Sequence, residues 1–141
     1  MRLSDDEARA RLAASGHGVL STVHPDRGVD AVPVVYALDD GWIGVPVDTV
    51  KPKSSTRLQR VRNLETDPRA ALLIEHWDPE DWSRLWWVRA ELRFEGAPGS
   101  DRTTGLAARL ADRFPQYRDQ PFARIIGLRV VGLCGWAAAT G

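Results

Sequence analysis

The sequence predicts a small α+β domain, mainly β: an antiparallel sheet or barrel with peripheral helices. Three observations lead there. Two tight turns separate three successive strand-like runs. The helical segments stand apart from those runs and do not alternate with them one for one. Prolines interrupt two of the strands, which is tolerated only where a ladder is open. The length, 141 residues, fits one domain over residues 1–141 and suffices to bury a core.

In chain order, Ser4-Asp5-Asp6-Glu7 is a capping box, with Ser4 as cap and Glu7 reaching back. Leu3, Ala8, Leu12 and Ala13 give this first helix a weak apolar stripe, and Gly16 is placed to end it. Residues 18–24 are rich in β-formers, and Pro25-Asp26-Arg27-Gly28 is a turn. Residues 29–38 read as a second strand, Asp39-Asp40-Gly41 as the next turn and residues 42–47 as a third strand, so the three form a meander. Pro33 and Pro46 require an edge, a bulge or a gap. They mark either the place where a barrel opens or two ordinary edge positions.

Residues 54–67 read as a helix capped by Ser54 or Ser55, with Leu58, Val61 and Leu64 as its apolar line and Pro68 as its stop. Residues 70–76 run largely apolar, as a strand buried on both faces would. Residues 82–95 read as one strand. Val88, Ala90, Leu92 and Phe94 point one way, and Arg89, Glu91, Arg93 and Glu95 the other. Trp86 falls on the core face, whereas Leu85 and Trp87 fall on the polar one and call for a cover, a partner subunit or a flat ligand. Residues 101–113 form an amphipathic helix with Leu106, Ala107 and Leu110 inward, and a turn near Pro121 leads into a last strand, 125–136.

The formal net charge is zero, so the molecule as a whole makes no electrostatic case for nucleic acid or membrane. A single cysteine, Cys134, rules out an internal disulfide and points to a reducing compartment. The N-terminal stretch lacks the apolar run of a signal peptide, and no window has the length of a membrane span, so a cytoplasmic location is expected.

The candidate chemistry is local. Lys51 and Lys53, the only lysines, precede Ser54 and Ser55 at a helix start, and Arg57 and Arg60 follow one turn apart. A helix N-terminus supplies free N–H groups and positive dipole, serines add donors, and the cations add charge. The segment is a phosphate grip or a solvated basic helix start. It lacks P-loop spacing, and no G-x-G-x-x-G follows a strand. His17, His24 and His76 have no metal-ligand spacing. His24 reads as a turn residue, and Cys134 as a buried, inert thiol. Without an acid, base, nucleophile or metal set, any redox chemistry falls to a cofactor.

The run GVLSTVHPDRGVDAVPVVYALDD, then WIGVPVD and RLQRVRNLETDPRAALLIEHW, resembles the flavin-binding split-barrel proteins. These include the pyridoxamine 5′-phosphate oxidase family and relatives that use the deazaflavin coenzyme F-420. Arg60-x-Arg62-Asn63-Leu64-x-x-Asp67-Pro68-Arg69 is the most specific piece. Lys51-Pro52-Lys53 and Asp81-Trp82-Ser83-Arg84-Leu85-Trp86-Trp87 look like a subgroup of F-420-dependent enzymes.

The resemblance implies an antiparallel split β-barrel that forms a homodimer, with two cofactor sites at the subunit interface. It puts the cofactor phosphate at Arg60, with Lys51, Lys53, Ser54, Ser55 and Arg57 in a longer neighbouring loop. It lays the ring against Pro33, Val34 and Val35 and against Val45, Pro46 and Val47, bordered by Trp82, Arg84, Trp86 and Trp87, from the same subunit or the other. The function implied is hydride transfer between F-420 and a small organic acceptor. FMN chemistry on the same barrel, or non-catalytic storage of a flavin, are the alternatives. The family's C-terminal pyridoxal-phosphate signature is missing from Leu133-Cys134-Gly135-Trp136 and the tail, which argues against pyridoxamine phosphate oxidase activity itself.

Overall fold

The computed structural model describes residues 1–48, 55–119 and 122–138. Helix α1 (Asp5–Ala14) is followed by β1 (His17–His24), β2 (Gly28–Val35), β3 (Ala37–Asp39) and β4 (Trp42–Asp48). Then come α2 (Ser55–Thr66), β5 (Arg69–His76), β6 (Trp86–Phe94), α3 (Ser100–Arg113) and β7 (Phe122–Ala137). The strands form one antiparallel sheet in the order β2-β1-β5-β6-β7-β4-β3. The sheet curls until its β2 edge touches β4 without pairing to it. This is a split barrel, with three α-helices among the described residues.

The capping box opens α1 as expected: Ser4 Oγ accepts from the Glu7 N–H, and Glu7 accepts from the Ser4 N–H. The helix ends at Ala14, two residues before Gly16, with Ser15 in extended geometry. Gly16 has a different task, because a Cβ there would meet Arg113 Nε at 2.7 Å and the Phe114 ring at 2.8 Å.

The expected three-strand meander is not what forms. β1 pairs with β2 and β3 with β4, but the run 29–38 breaks at Tyr36, and its two halves lie on opposite edges of the sheet. Tyr36 is wholly buried. Its N–H donates to the Gly16 carbonyl at 2.9 Å, and its hydroxyl donates to the Leu12 carbonyl at 2.6 Å. The two prolines sit at the opening. Pro33 lies on the edge strand β2, opposite Val19. Pro46 pairs with Ile125 on one side, and β3 does not reach it on the other; a register shift follows at Val47/Asp48.

The main core fills the concave face with Leu20, Leu72, Ile74, Val88, Leu92, Ile126 and Leu128, joined by Ala8 and Leu12 of α1 and Leu64 of α2. A smaller core lies under α3, where Leu106, Ala107 and Leu110 meet Ala37 and Ile125. Glycine permits that approach, since a Cβ on Gly44 would stand 3.0 Å from a Leu106 methyl.

Two further expectations are corrected. β5 is not buried on both faces: Leu72 and Ile74 are buried while Leu73 is 41% exposed, so its apolar composition does not report its environment. Residues 82–84 are a 3₁₀ turn and not part of the long strand, because the Asp81 carboxylate accepts from the N–H and hydroxyl of Ser83 and winds the chain. Leu85 is extended and its carbonyl accepts from the Ala138 N–H at 2.9 Å, and Trp136, directly opposite Trp87, adds to the outer-face patch. Cys134 faces outward opposite Arg89 and is half-buried, not buried.

Burial pushes the Tyr36 phenol up to about 12. A raised phenol contributes stability that is complete below the unfolded value near 10 and is lost as pH climbs towards 12. Tyr36→Phe removes this alkaline loss. At neutral pH it costs about 1–3 kcal/mol by leaving the Leu12 carbonyl unpaired. Urea titrations at pH 7 and pH 10.5 read both effects.

Candidate functional site

The turn between β1 and β2 is built around a histidine. The N–H groups of Asp26 and Arg27 both donate to His24 Nδ1, each at 3.0 Å. With Nδ1 as acceptor, the neutral ring carries its proton on Nε2. This presents Arg27 beside Asp30, whose two carboxylate oxygens take the Arg27 Nη2 at 3.1 and 3.0 Å.

Asn63 of α2 lies on the other side of Asp30. It is fully buried, and its amide nitrogen donates to Thr22 Oγ1 at 3.0 Å and to Asp30 Oδ2 at 2.9 Å. Its amide oxygen accepts from Gln59 Nε2 at 2.8 Å. One side chain thus ties α2 to both β1 and β2. The Asn63 amide and then the Arg27 guanidinium hold the Asp30 carboxyl below its usual range, against a desolvation that pushes the other way.

Above this network lies a cavity of about 340 Å³, lined by Leu20, Thr22, Arg27, Asp30, Val32 and Gln59 together with Arg60 and Arg62. Three arginines and one aspartate are among the lining residues, and the aspartate is paired with Arg27, so the lining is rich in cationic side chains. Arginine suits it chemically, because its planar fork matches phosphate oxygens in pairs. Thr22 adds a hydroxyl at the floor. The size is at the low end for small-molecule sites, enough for a phosphate and its attached chain.

Of the residues expected from the sequence, Arg60 is placed in this cavity, half-buried. Lys51, Lys53 and Ser54 lie outside the described residues, as do the side chains of Ser55 and Arg57. Pro33, Val34 and Val35 are on β2 and Val45, Pro46 and Val47 on β4, the two edges that meet at the split. Val34 and Val45 are core residues, whereas Pro33 is exposed and Val35, Pro46 and Val47 are half-buried.

The tryptophans are elsewhere. Thr22 at the cavity is opposite Ala70, and Trp86 is opposite His76 at the far end of β5. Six residues of strand separate those positions, about 20 Å. Trp86 borders a second hollow with Arg11, His76, Ser83 and Arg84, where Arg11 stacks 4.8 Å from the Trp86 ring. Trp82 is exposed and packs against Trp77 at 5.6 Å between ring centres. Trp87 is on the outer face. Within one chain, then, the cavity arginines and the tryptophans are not brought together.

Sequence reasoning missed Arg27, Asp30 and Thr22. The signal for the first two was an oppositely charged pair three apart across a turn. The Asp67-Pro68-Arg69 part of the motif has a structural role: Asp67 takes the N–H and side chain of Arg69, which lowers its carboxyl to about 2 and fixes the exit from α2. Among the described residues, no group of His, Cys, Asp and Glu is arranged to hold a metal ion, and no helix is long and apolar enough to cross a membrane.

No protein-family model matches the chain, and no curated protein matches it. Solved structures do. An FAD-binding protein from Mesorhizobium loti is 17% identical with a TM-score of 0.71, over 96% of this chain and 93% of that one. A Corynebacterium glutamicum protein provisionally called a pyridoxamine 5′-phosphate oxidase is 16% identical with a TM-score of 0.62, over 96% and 94%. The heme storage protein HutZ from Vibrio cholerae is 16% identical with a TM-score of 0.65, over 94% of each. These likenesses establish the fold, the split barrel of the pyridoxamine 5′-phosphate oxidase type.

Removing the Asn63 side chain takes a hydrogen bond from Thr22, Asp30 and Gln59 at once. Asn63→Ala is expected to cost about 1–3 kcal/mol in chemical denaturation. It also raises the Asp30 carboxyl. A depressed carboxyl contributes stability above its unfolded value that is lost as pH falls through the folded one, so the variant should lose less stability on acidification below pH 4 than the wild type. A carbon-detected NMR titration of Asp30 follows the group directly.

Proposed function

We propose that the protein is an oxidoreductase that binds reduced coenzyme F-420 and passes its hydride to a small organic acceptor. The observation that carries this reading is the cavity of Arg27, Arg60 and Arg62 over Thr22, lined in part by β2, the strand whose outer edge touches β4. The cavity fits a phosphate, and the split offers a slot for a flat ring. The deazaflavin, when bound, supplies the hydride chemistry. The chain's own residues anchor the phosphate, orient the ring against Pro33 and Pro46 and exclude water.

A homodimer belongs to the same proposal. Val19 and Leu73 face each other on the outer surface, 37% and 41% exposed, and Trp136 beside Trp87 is 37% exposed. A second subunit would cover these side chains and bring its tryptophans towards the first subunit's cavity. FMN, FAD or heme are the competing ligands, because proteins named for FAD binding and heme storage share this fold.

Titration with F-420 should change the coenzyme's fluorescence at micromolar protein. No change at tens of micromolar, or a yellow or heme-coloured protein on purification, would turn the reading to the competing ligand. Arg60→Ala should weaken cofactor binding roughly ten- to a hundredfold, the loss of a charge-assisted phosphate contact of about 1.5–3 kcal/mol.

A glutamate in place of Leu73 should convert the dimer to monomer in sedimentation velocity without lowering the α-helical circular dichroism. A wild type that sediments as a monomer would remove the shared-site arrangement.

A further inference from the structure

We propose that Arg27 is a ligand of the anion taken by the cavity, and that Asn63 is its positioning residue, acting through Asp30. The inference rests on the reading of the cavity as a phosphate site and names how one wall of that site is made.

Three restraints converge on Arg27. Its main chain is held by His24 Nδ1, 3.0 Å from its N–H. Its guanidinium is held by Asp30 through Nη2 alone, which leaves Nε and Nη1 outside that ion pair. Asp30 is held in turn by the buried amide of Asn63 at 2.9 Å. Arg27 is itself well exposed, with 61% of its side-chain surface open. An exposed arginine normally samples many rotamers, and ordering one costs side-chain entropy. Here the ordering is done before a ligand arrives, by a carboxylate that a fully buried side chain fixes in place. Such preorganisation raises affinity by lowering the ordering cost of binding.

The charges point the same way. Asp30 is a carboxylate in the lining of a cavity meant for an anion. Alone it would repel a phosphate; paired with Arg27 it serves as that arginine's mount. Arg27 thus supplies donors and cancels the one opposing charge among the described lining residues. Asn63 can be neither ligand nor charge, because it is buried beneath the network with its three hydrogen bonds spent on Thr22, Asp30 and Gln59.

The test is a double-mutant cycle read with inorganic phosphate, titrated by phosphorus NMR against wild type, Arg27→Ala, Asn63→Ala and the double variant. Arg27→Ala should weaken phosphate binding about tenfold and Asn63→Ala about three- to tenfold. Asn63→Ala placed on Arg27→Ala should add less than about twofold, since its effect passes through the missing arginine. An Asn63 that merely supports the fold would cost the same factor in both backgrounds. If Asn63→Ala does not fold, Asn63→Asp keeps the acceptor for Gln59 and sets a second carboxylate against Asp30, and the same cycle is run with it.

Inorganic phosphate keeps this outcome apart from the cofactor's identity. A wild type that binds phosphate but no flavin or deazaflavin ends the cofactor reading and leaves the arginine wall intact. Cofactor affinity lost in Arg60→Ala but unchanged in Arg27→Ala does the reverse. Equal costs in both backgrounds, an unchanged phosphate affinity in Arg27→Ala, or no phosphate binding by the wild type would each overturn the proposal.

Discussion

The constraint on which the structure depends is a crossing made by a single residue. The chain leaves β2 at Val35 on one edge of the sheet and enters β3 at Ala37 on the opposite edge. One residue spans at most about 3.6 Å, so the two edges must come together and the sheet must curl. Tyr36 secures the crossing to α1 through its hydroxyl to Leu12, and to the segment after α1 through its N–H to Gly16. A curled sheet with two adjacent edges would ordinarily close by hydrogen bonding. Pro33 on β2 and Pro46 on β4 lack the N–H groups that closure needs, so the edges stay apart as a slot.

Helix α2 is attached to β1 and β2 by two means of opposite character. Leu64 is buried in the main core, an apolar grip that favours docking without fixing register. Asn63, its neighbour, fixes it, because its hydrogen bonds to Thr22 and Asp30 have directions as well as strength. A buried amide with every bond made specifies one position, and a slipped helix would leave several polar groups unpaired. Fixing α2 in this way also sets Arg60 and Arg62 over the β1–β2 turn. The cavity follows from the manner of docking.

Much of this was legible in the sequence where the signal is local. The capping box at Ser4, the alternation of Val88, Ala90 and Leu92 in β6 and the stop at Pro68 each depend on residues a few positions apart. The strand pairing was not legible, because residues 29–38 are uniformly β-forming and nothing in that run announces a break at Tyr36. The turn at residues 82–84 was legible in principle from Asp81-x-Ser83, but the alternation that follows it masked the signal. Of the site, Arg60 could be found because it lies in a dense basic segment. Arg27 could not, since a turn arginine becomes a ligand candidate only when a helix more than 30 residues later closes over it, as the Asn63–Asp30 separation of 33 shows.

The cavity's construction also bears on why one fold accommodates proteins named for FAD binding and heme storage. Its floor, Leu20 and Thr22, is buried and belongs to the packing of the barrel. Its charged rim, Arg27 and Arg62, is exposed, and Arg60 is half-buried. Substitutions at exposed positions usually change stability little, so the charge of the rim is not fixed by the packing of the barrel. In this chain the rim is cationic, and its one carboxylate, Asp30, is bound on both sides, by Arg27 and by Asn63.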